Sequence, residues 1–240
     1  MRTSNKSFVA MLLALFALLI NFGCSDVVVN PEADIKGGGV NIDPKYKAHE
    51  SFSYKVDMVN QTSFRLEGIN GSVDVQSVSG TNQVTISGEK EVAADTYQDA
   101  ADHLRFVSIE INDFIDELFV KTLQPKASDG RSYNVNYTIN VPSDLSVTIN
   151  NVNGKISGKV SMPSNGTVDM SLENGSIELD IPQSTSADFS ASLVNGGISV
   201  HNLTLKNRVE TKRSLQGTLG NGEGLITLRT TNGNITALGF

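Results

Sequence analysis

An Asn-Gly dipeptide with Ile or Val three residues after the Asn occurs six times in this chain. The six copies start at Asn70, Asn153, Asn165, Asn174, Asn195 and Asn232. Asn153, Asn174 and Asn195 are spaced by 21 and 21 residues. A second marker runs in step with them: Val141-Pro142, Met162-Pro163 and Ile181-Pro182, with prolines 21 and 19 residues apart. From each proline to the next in-phase Asn-Gly is 11, 11 and 13 residues. Two independent markers in one phase define a structural repeat, and a repeat of this length constrains the fold more than any other feature.

Within the repeat, apolar and polar residues alternate. Leu145, Val147 and Ile149 precede Asn153; Val168, Met170 and Leu172 follow Pro163; Ile177, Leu179 and Ile181 follow Gly175; Ala187, Phe189, Ala191 and Leu193 follow Pro182. Successive side chains of a strand point to opposite faces, so each run predicts a half-buried strand. Each unit then holds two short strands and two turns. An isolated Asn-Gly between alternating strands signals a hairpin. A recurring unit signals stacked rungs about 4.8 Å apart, and the phase of the two markers favours this second reading. Gly enters backbone regions closed to a Cβ, and Asn tolerates a sharp corner while its amide bonds nearby groups. The expected corners are Asn70-Gly71, Asn153-Gly154, Asn174-Gly175, Asn195-Gly196 and Asn232-Gly233, where stacked Asn side chains would bond from rung to rung. A strand-terminal Pro has no N–H and ends the pairing.

The first half predicts strands at Phe64–Leu66, Val73–Val75 and Val84–Ile86, with Gly68, Gly71, Gly80 and Gly88 as turns. Asp95 to Leu104 places Tyr97, Ala100, Ala101 and Leu104 at helical spacing, and Thr96 with Asp99 loosely resembles a capping box. One short helix is expected there. Strands follow at Val107–Ile111, Leu118–Val120 and Tyr133–Val141, with a turn at Ser128–Arg131. The stretch Tyr133 to Ile156, containing Ile139-Asn140-Val141-Pro142 and Asn153-Gly154-Lys155-Ile156, resembles the bacterial "putative adhesin" family, a domain of unknown function. The resemblance covers about residues 50 to 240 and implies an all-β solenoid, often exported or membrane-tethered. That family carries no defined catalytic or ligand residues, so the resemblance assigns none here.

The N-terminus has a different character. Arg2 and Lys6 precede an uncharged, mostly apolar run from Phe8 to Ile20, which is short for a bilayer span and fits a secretion signal. The run ends at Asn21-Phe22-Gly23-Cys24, which resembles a bacterial lipoprotein signal with Cys24 as the lipidated first residue. Asn21 stands where such signals usually carry Leu. Cys24 is the sole cysteine, so no internal disulfide forms. Residues 25 to about 50 carry Pro31, Gly37-Gly38-Gly39 and Pro44 with few apolar residues, the composition of a flexible tether.

Charge narrows the partners. Lys plus Arg number 19 against 26 Asp plus Glu, a net charge of −7. An acidic surface argues against nucleic acid as the main partner. His49, His103 and His201 are scattered, with no metal-ligand spacing among them. Gly217, Gly220, Gly222 and Gly224 fit neither a dinucleotide fingerprint nor a phosphate loop, because the required third Gly and the Lys-Ser/Thr ending are missing. Asp113, Asp116 and Glu117 cluster without the spacing of a Ca²⁺ loop. Lys206, Arg208, Lys212 and Arg213 form a basic group in an acidic chain; such a group is usually a plain exposed face, and the alternative is contact with an anionic partner.

The sequence therefore predicts a signal peptide over 1–23, a tether over 24–50, and a single parallel β-solenoid with one inserted helix over 51–240. The expected function is a non-enzymatic, adhesin-like binding or structural module. It would be lipid-anchored in a bacterial envelope, on the outer membrane, without cofactor or metal, and its partner would be an envelope or host glycan or protein. The alternative is a polysaccharide-acting enzyme on a β-helix scaffold. That reading requires the acidic group at 113–117 and the basic group at 206–213 to converge on one face.

Overall fold

The computed structural model describes residues 46–240. The signal segment, Cys24 and the tether as far as residue 45 lie outside the described residues. Alternation of apolar and polar residues produces strands almost throughout. The first part contains β1 (Tyr46–Asp57), β2 (Ser63–Glu67), β3 (Val73–Val78) and β4 (Gln83–Ala94). Helix α1 (Tyr97–His103) follows, then a 3₁₀ turn (Leu104–Phe106), β5 (Ser108–Asp113), β6 (Glu117–Leu123) and β7 (Ser132–Pro142). The repeat region contributes β8 (Ser146–Asn153), β9 (Ile156–Lys159), β10 (Thr167–Asn174), β11 (Ile177–Ile181), β12 (Ala187–Asn195) and β13 (Ile198–His201). The chain closes with β14 (Lys206–Glu210), β15 (Ser214–Leu219), β16 (Gly224–Asn232) and β17 (Ile235–Gly239). β1 thus begins inside the segment whose composition suggested a tether.

The strands form two facing sheets. One runs β1-β4-β7-β3-β9-β11-β17-β13, the other β14-β15-β12-β16-β10-β8-β2-β6-β5. The fold is all-β with one short helix, and the expectation of a single parallel solenoid is corrected in two respects. First, both sheets are mixed. Pairing is parallel in the centre, as in β8–β10 and β9–β11, but antiparallel at the ends, in β1–β4–β7, β5–β6 and β12–β15–β14. Short reversals such as Thr211–Ser214 return the chain beside the strand it has just left, which yields antiparallel neighbours. Second, the rungs do not stack in chain order. The final rung, β16 with β17, sits between the β10–β11 rung and the β12–β13 rung. The Asn-Gly corners are chemically equivalent, so their spacing marks corners without fixing which rung neighbours which.

The core lies between the sheets. Val147 and Ile149 of β8, Val168 and Met170 of β10, Ile226 and Leu228 of β16 and Ala191 of β12 are all fully buried. From the other sheet come Ile156, Ile177, Leu179 and Ile235. Burying a Val, Leu, Ile or Met contributes about 1.5–3 kcal/mol each. With a single cysteine, this packing and the ladders carry the stability. Near one end, the Tyr137 hydroxyl bonds the Thr122 hydroxyl at 2.7 Å, and burial pushes its pKa up to about 12.

Helix α1 covers this same end. The Thr96 side chain accepts from the Asp99 N–H at 3.2 Å, and Ala100 is the buried residue of the helix. Asp99 also receives Arg131 Nε and Nη2 at 2.8 and 2.9 Å, which ties the helix to the chain entering β7. The Arg131 guanidinium holds the Asp99 carboxyl below its ordinary pKa.

Candidate functional site

The Asn-Gly corners gather on one edge of the molecule. Asn70 bridges Asn153, Asn153 is in register with Asn174, Asn174 with Asn232, and Asn232 with Asn195. Their side chains form a continuous column of amide hydrogen bonds. Asn195 donates to Asn232 at 2.8 Å, Asn232 to Asn174 at 2.8 Å, Asn174 to Asn153 at 2.9 Å and Asn153 to Asn70 at 2.7 Å. Asn70 closes the column by donating to the Tyr133 carbonyl at 3.0 Å. Each interior amide uses a donor and an acceptor, so the column has a direction. Asn165 lies apart, in the turn where the Gly166 N–H donates to the Pro163 carbonyl at 2.8 Å.

Beside the Asn column stands a Gly column: Gly71, Gly154, Gly175, Gly233 and Gly196. Gly175 has φ +132°, and a Cβ there would lie 1.6 Å from the Gly154 carbonyl oxygen. Backbone conformation and rung spacing both exclude a side chain at this position. Two further residues support the corner and carry no Asn-Gly signal. Asn151, buried, donates to the Gly71 carbonyl at 2.9 Å and to the Asn153 carbonyl at 3.0 Å. Thr230, also buried, donates to the Gly175 carbonyl at 3.1 Å. Asn151 and Thr230 each pair with Leu172 across the rungs. A polar residue in an apolar register column was the available sequence signal.

Away from the corners, the outer faces of the sheets carry polar rows whose residues are half-buried or exposed, apart from the buried Thr227. Register aligns Thr148, Asp169, Thr227 and Ser190 in one row, and Asn150, Ser171, Arg229 and Ser192 in the next. Ser157, Glu178, Thr236 and Ser199 form a row on the other sheet. Arg229 reaches Asp169 at 3.1 Å across two of these rows.

The basic and acidic groups occupy opposite ends of the nine-stranded sheet. Lys206 and Arg208 lie on β14, and Lys212 and Arg213 follow in the turn to β15. Lys206 Nζ donates to the Gly220 carbonyl at 2.6 Å, and Arg208 pairs with Glu210 at 2.8 Å. Asp113 ends β5, and Glu117 opens β6. The two groups therefore do not converge on one face. The histidines are equally dispersed. His49 meets Glu89 at 2.9 Å, His103 meets Asp99 at 3.1 Å, and His201 ends the edge strand β13. Among the described residues, no group of three His, Cys, Asp or Glu is placed to hold a metal. Gly217 lies within β15, and Gly220 and Gly222 form the turn to β16. The described residues include open grooves of about 280 and 370 Å³. The smaller is lined by Asn207, Val209, Gln216, Thr218 and Leu225, among others, and the larger by Ser164, Thr185 and Glu223 among others.

The protein-family model described as "Toastrack DUF4097" matches residues 32–237. No curated protein matches the chain. Among solved structures, a protein from Clostridium sporogenes described as a "putative cell adhesion protein" is similar at 12% identity and a TM-score of 0.45. The match covers 80% of this chain and 100% of that one. A "putative adhesin" from Parabacteroides distasonis matches at 14% identity and a TM-score of 0.21, over 79% of this chain and 70% of that one. A further "putative adhesin", from Bacteroides fragilis, matches at 9% identity and a TM-score of 0.22, over 80% and 97%.

Proposed function

This chain belongs to the Toastrack DUF4097 family, and we propose that it works as a non-enzymatic, adhesin-like binding or structural module of a bacterial cell envelope. One observation carries this reading: both sheets turn registered rows of Ser, Thr, Asn and Asp outward, on a scaffold made rigid by the Asn and Gly columns. Such rows suit a long, repetitive partner, in particular the hydroxyl groups of a polysaccharide, where many weak polar contacts add along one line. The acidic and basic groups that the polysaccharide-cleaving alternative requires on one face lie at opposite ends of the nine-stranded sheet, which favours the binding reading.

The test is binding of the purified chain to a glycan array and to envelope extract. The row facing solvent on β10 and β12 is the expected contact. Ser171→Tyr with Ser192→Tyr, two members of one row, should reduce glycan binding at least about tenfold while the melting temperature stays within a few degrees. Retention of no glycan and no envelope protein would refute the binding role. Turnover of a polysaccharide, abolished by one Asp or Glu substitution, would replace it with the enzymatic reading.

The proposal includes a lipid anchor on Cys24, supported by its place directly after the apolar signal core. Cys24→Ala should move the protein from the membrane fraction to the soluble fraction. Unchanged membrane association in that variant would refute the anchor. A single acyl chain binds a membrane reversibly, so stable retention implies more than one chain.

A further inference from the structure

Independently of what the polar rows bind, we propose that this chain assembles head to tail with further copies of itself, the β14 end of one copy docking on the β5 end of the next. The two strands are the terminal members of the nine-stranded sheet, and each leaves one edge unpaired. Every residue of β14 is exposed. Open edges invite a further strand.

Charge at the two ends is opposite. Lys206 to Arg213 contains four cations and one carboxylate, whereas Ser108 to Glu117 contains four carboxylates and no cation. Copies of one end repel each other, so like-with-like pairing is disfavoured and the unlike pairing is favoured. The β14 edge also carries a bulge: its register with β15 shifts between Lys206 and Val209, and Asn207 has φ 51°. A bulged, charged edge resists indiscriminate strand addition. An edge of opposite charge lifts the electrostatic part of that resistance.

Register brings complementary features to the same line. Glu117 pairs with Ser63, Ser63 with Ser146, and, on the rungs beyond, Thr167 with Leu225, Leu225 with Asp188, Asp188 with Thr218, and Thr218 with Lys206. At the acidic end of that line is the β5–β6 turn, which exposes Phe114 by 50% and Ile115 by 85% between Asp113 and Asp116. At the basic end is the groove of about 280 Å³ with Val209 and Leu225 in its lining. Translation of one copy along the sheet brings an apolar turn with acidic flanks to a groove beside a basic strand, where Val209 and Leu225 offer exposed apolar surface among polar residues that include Asp188. Strand direction agrees as well. β14 runs parallel to the central strands and β5 antiparallel to them, so the two edges meet antiparallel, Lys206 nearest Asp113.

The ends are also stepped. Beyond the β6–β7 layer the eight-stranded sheet continues with β4 and β1, whereas its partner continues with β5 alone. Beyond the β12–β13 layer only the nine-stranded sheet continues, with β15 and β14. One sheet overhangs at each end, which lets successive copies interlock. Because the two surfaces differ, the contact is heterologous and propagates as an open chain of copies.

Sedimentation velocity of the full chain over a range of concentrations tests this. At low ionic strength the expected result is an open series of oligomers that lengthens with concentration. At about 0.5 M salt, where charges are screened within a few ångströms, the series should collapse to monomer. Lys206→Glu with Arg213→Glu makes both ends acidic, and Glu110→Lys with Asp113→Lys and Asp116→Lys makes both ends basic. Each variant alone should stay monomeric, and mixing the two should restore assembly. Restoration on mixing also demonstrates that both variants are folded. A wild-type chain that stays monomeric at low salt, a closed two-fold dimer, assembly of either variant alone, or no assembly on mixing would overturn the proposal.

Discussion

Gly175→Ala adds one methyl group, and the structure sets its cost in two parts. The backbone at Gly175 has φ +132°, a region left almost wholly to glycine, where an L-residue is strained by about 1–3 kcal/mol. The new Cβ would also lie 1.6 Å from the Gly154 carbonyl oxygen. Contacts of this kind stay beyond 3.0 Å, so one corner must move by about 1.4 Å. That shift is opposed by the bonds from Gly154 N–H to the Asn174 carbonyl at 2.9 Å and from Gly175 N–H to the Asn232 carbonyl at 2.7 Å. Crowding of this order costs about 1–3 kcal/mol. The total of about 2–6 kcal/mol corresponds to a fall in melting temperature of roughly 5–20 °C for a chain of this size. Gly80→Ala is the control. Gly80 has φ +76° with nothing within 4 Å of a built Cβ, so only the backbone part of about 1–2 kcal/mol applies. Thermal denaturation followed by circular dichroism compares the two. Equal melting temperatures, or a greater loss in Gly80→Ala, would refute the close-stacked corner.

The Asn column and the Asp99–Arg131 pair give two other outcomes. Asn174→Ala removes two bonds of the column and should lose about 1–2 kcal/mol in urea denaturation, whereas Asn195→Ala removes one and should lose about half as much; an equal or larger loss at Asn195 contradicts the column. The Asp99 carboxyl is held below its ordinary pKa first by its hydrogen bond from Arg131, so it contributes stability above the unfolded carboxylate range, and that contribution is lost as pH falls through its lowered value. The stability difference between wild type and Asp99→Asn should therefore be constant above about pH 5 and shrink as pH falls below the ordinary carboxylate range; a difference independent of pH would exclude the ion pair as its source.

The parts of this fold legible in the sequence are those written in local pattern. Val168, Met170 and Leu172 alternate with Thr167, Asp169 and Ser171, and the strand they predict is β10 with the three apolar residues inward. Thr96 and the apolar spacing after it locate α1, which spans Tyr97–His103 within the expected Asp95–Leu104. Non-local information was not legible. The copy at Asn232 follows the others in sequence, yet its rung lies between those of Asn174 and Asn195, because any such corner can stack on any other. The Asp99–Arg131 pair joins residues 32 apart, with β5 and β6 between them, and leaves no spacing signature. Lys206 to Arg213 reads as a charge cluster, but its position as the last strand of a sheet depends on β15 turning back on β12.

The order of the rungs is the central claim, and disulfide trapping tests it most directly. In a solenoid stacked in chain order, Glu178 of β11 would lie beside Ser199 of β13. In this structure Glu178 pairs with Thr236 of β17, and Ser199 lies on the far side of that strand. Neighbouring strands are about 4.8 Å apart and next-nearest strands about twice that, beyond the reach of a disulfide. In a Cys24→Ser background, Glu178→Cys with Thr236→Cys should oxidise to an internal disulfide, and Glu178→Cys with Ser199→Cys should remain reduced. Ready oxidation of the second pair with none in the first would contradict the inserted C-terminal rung.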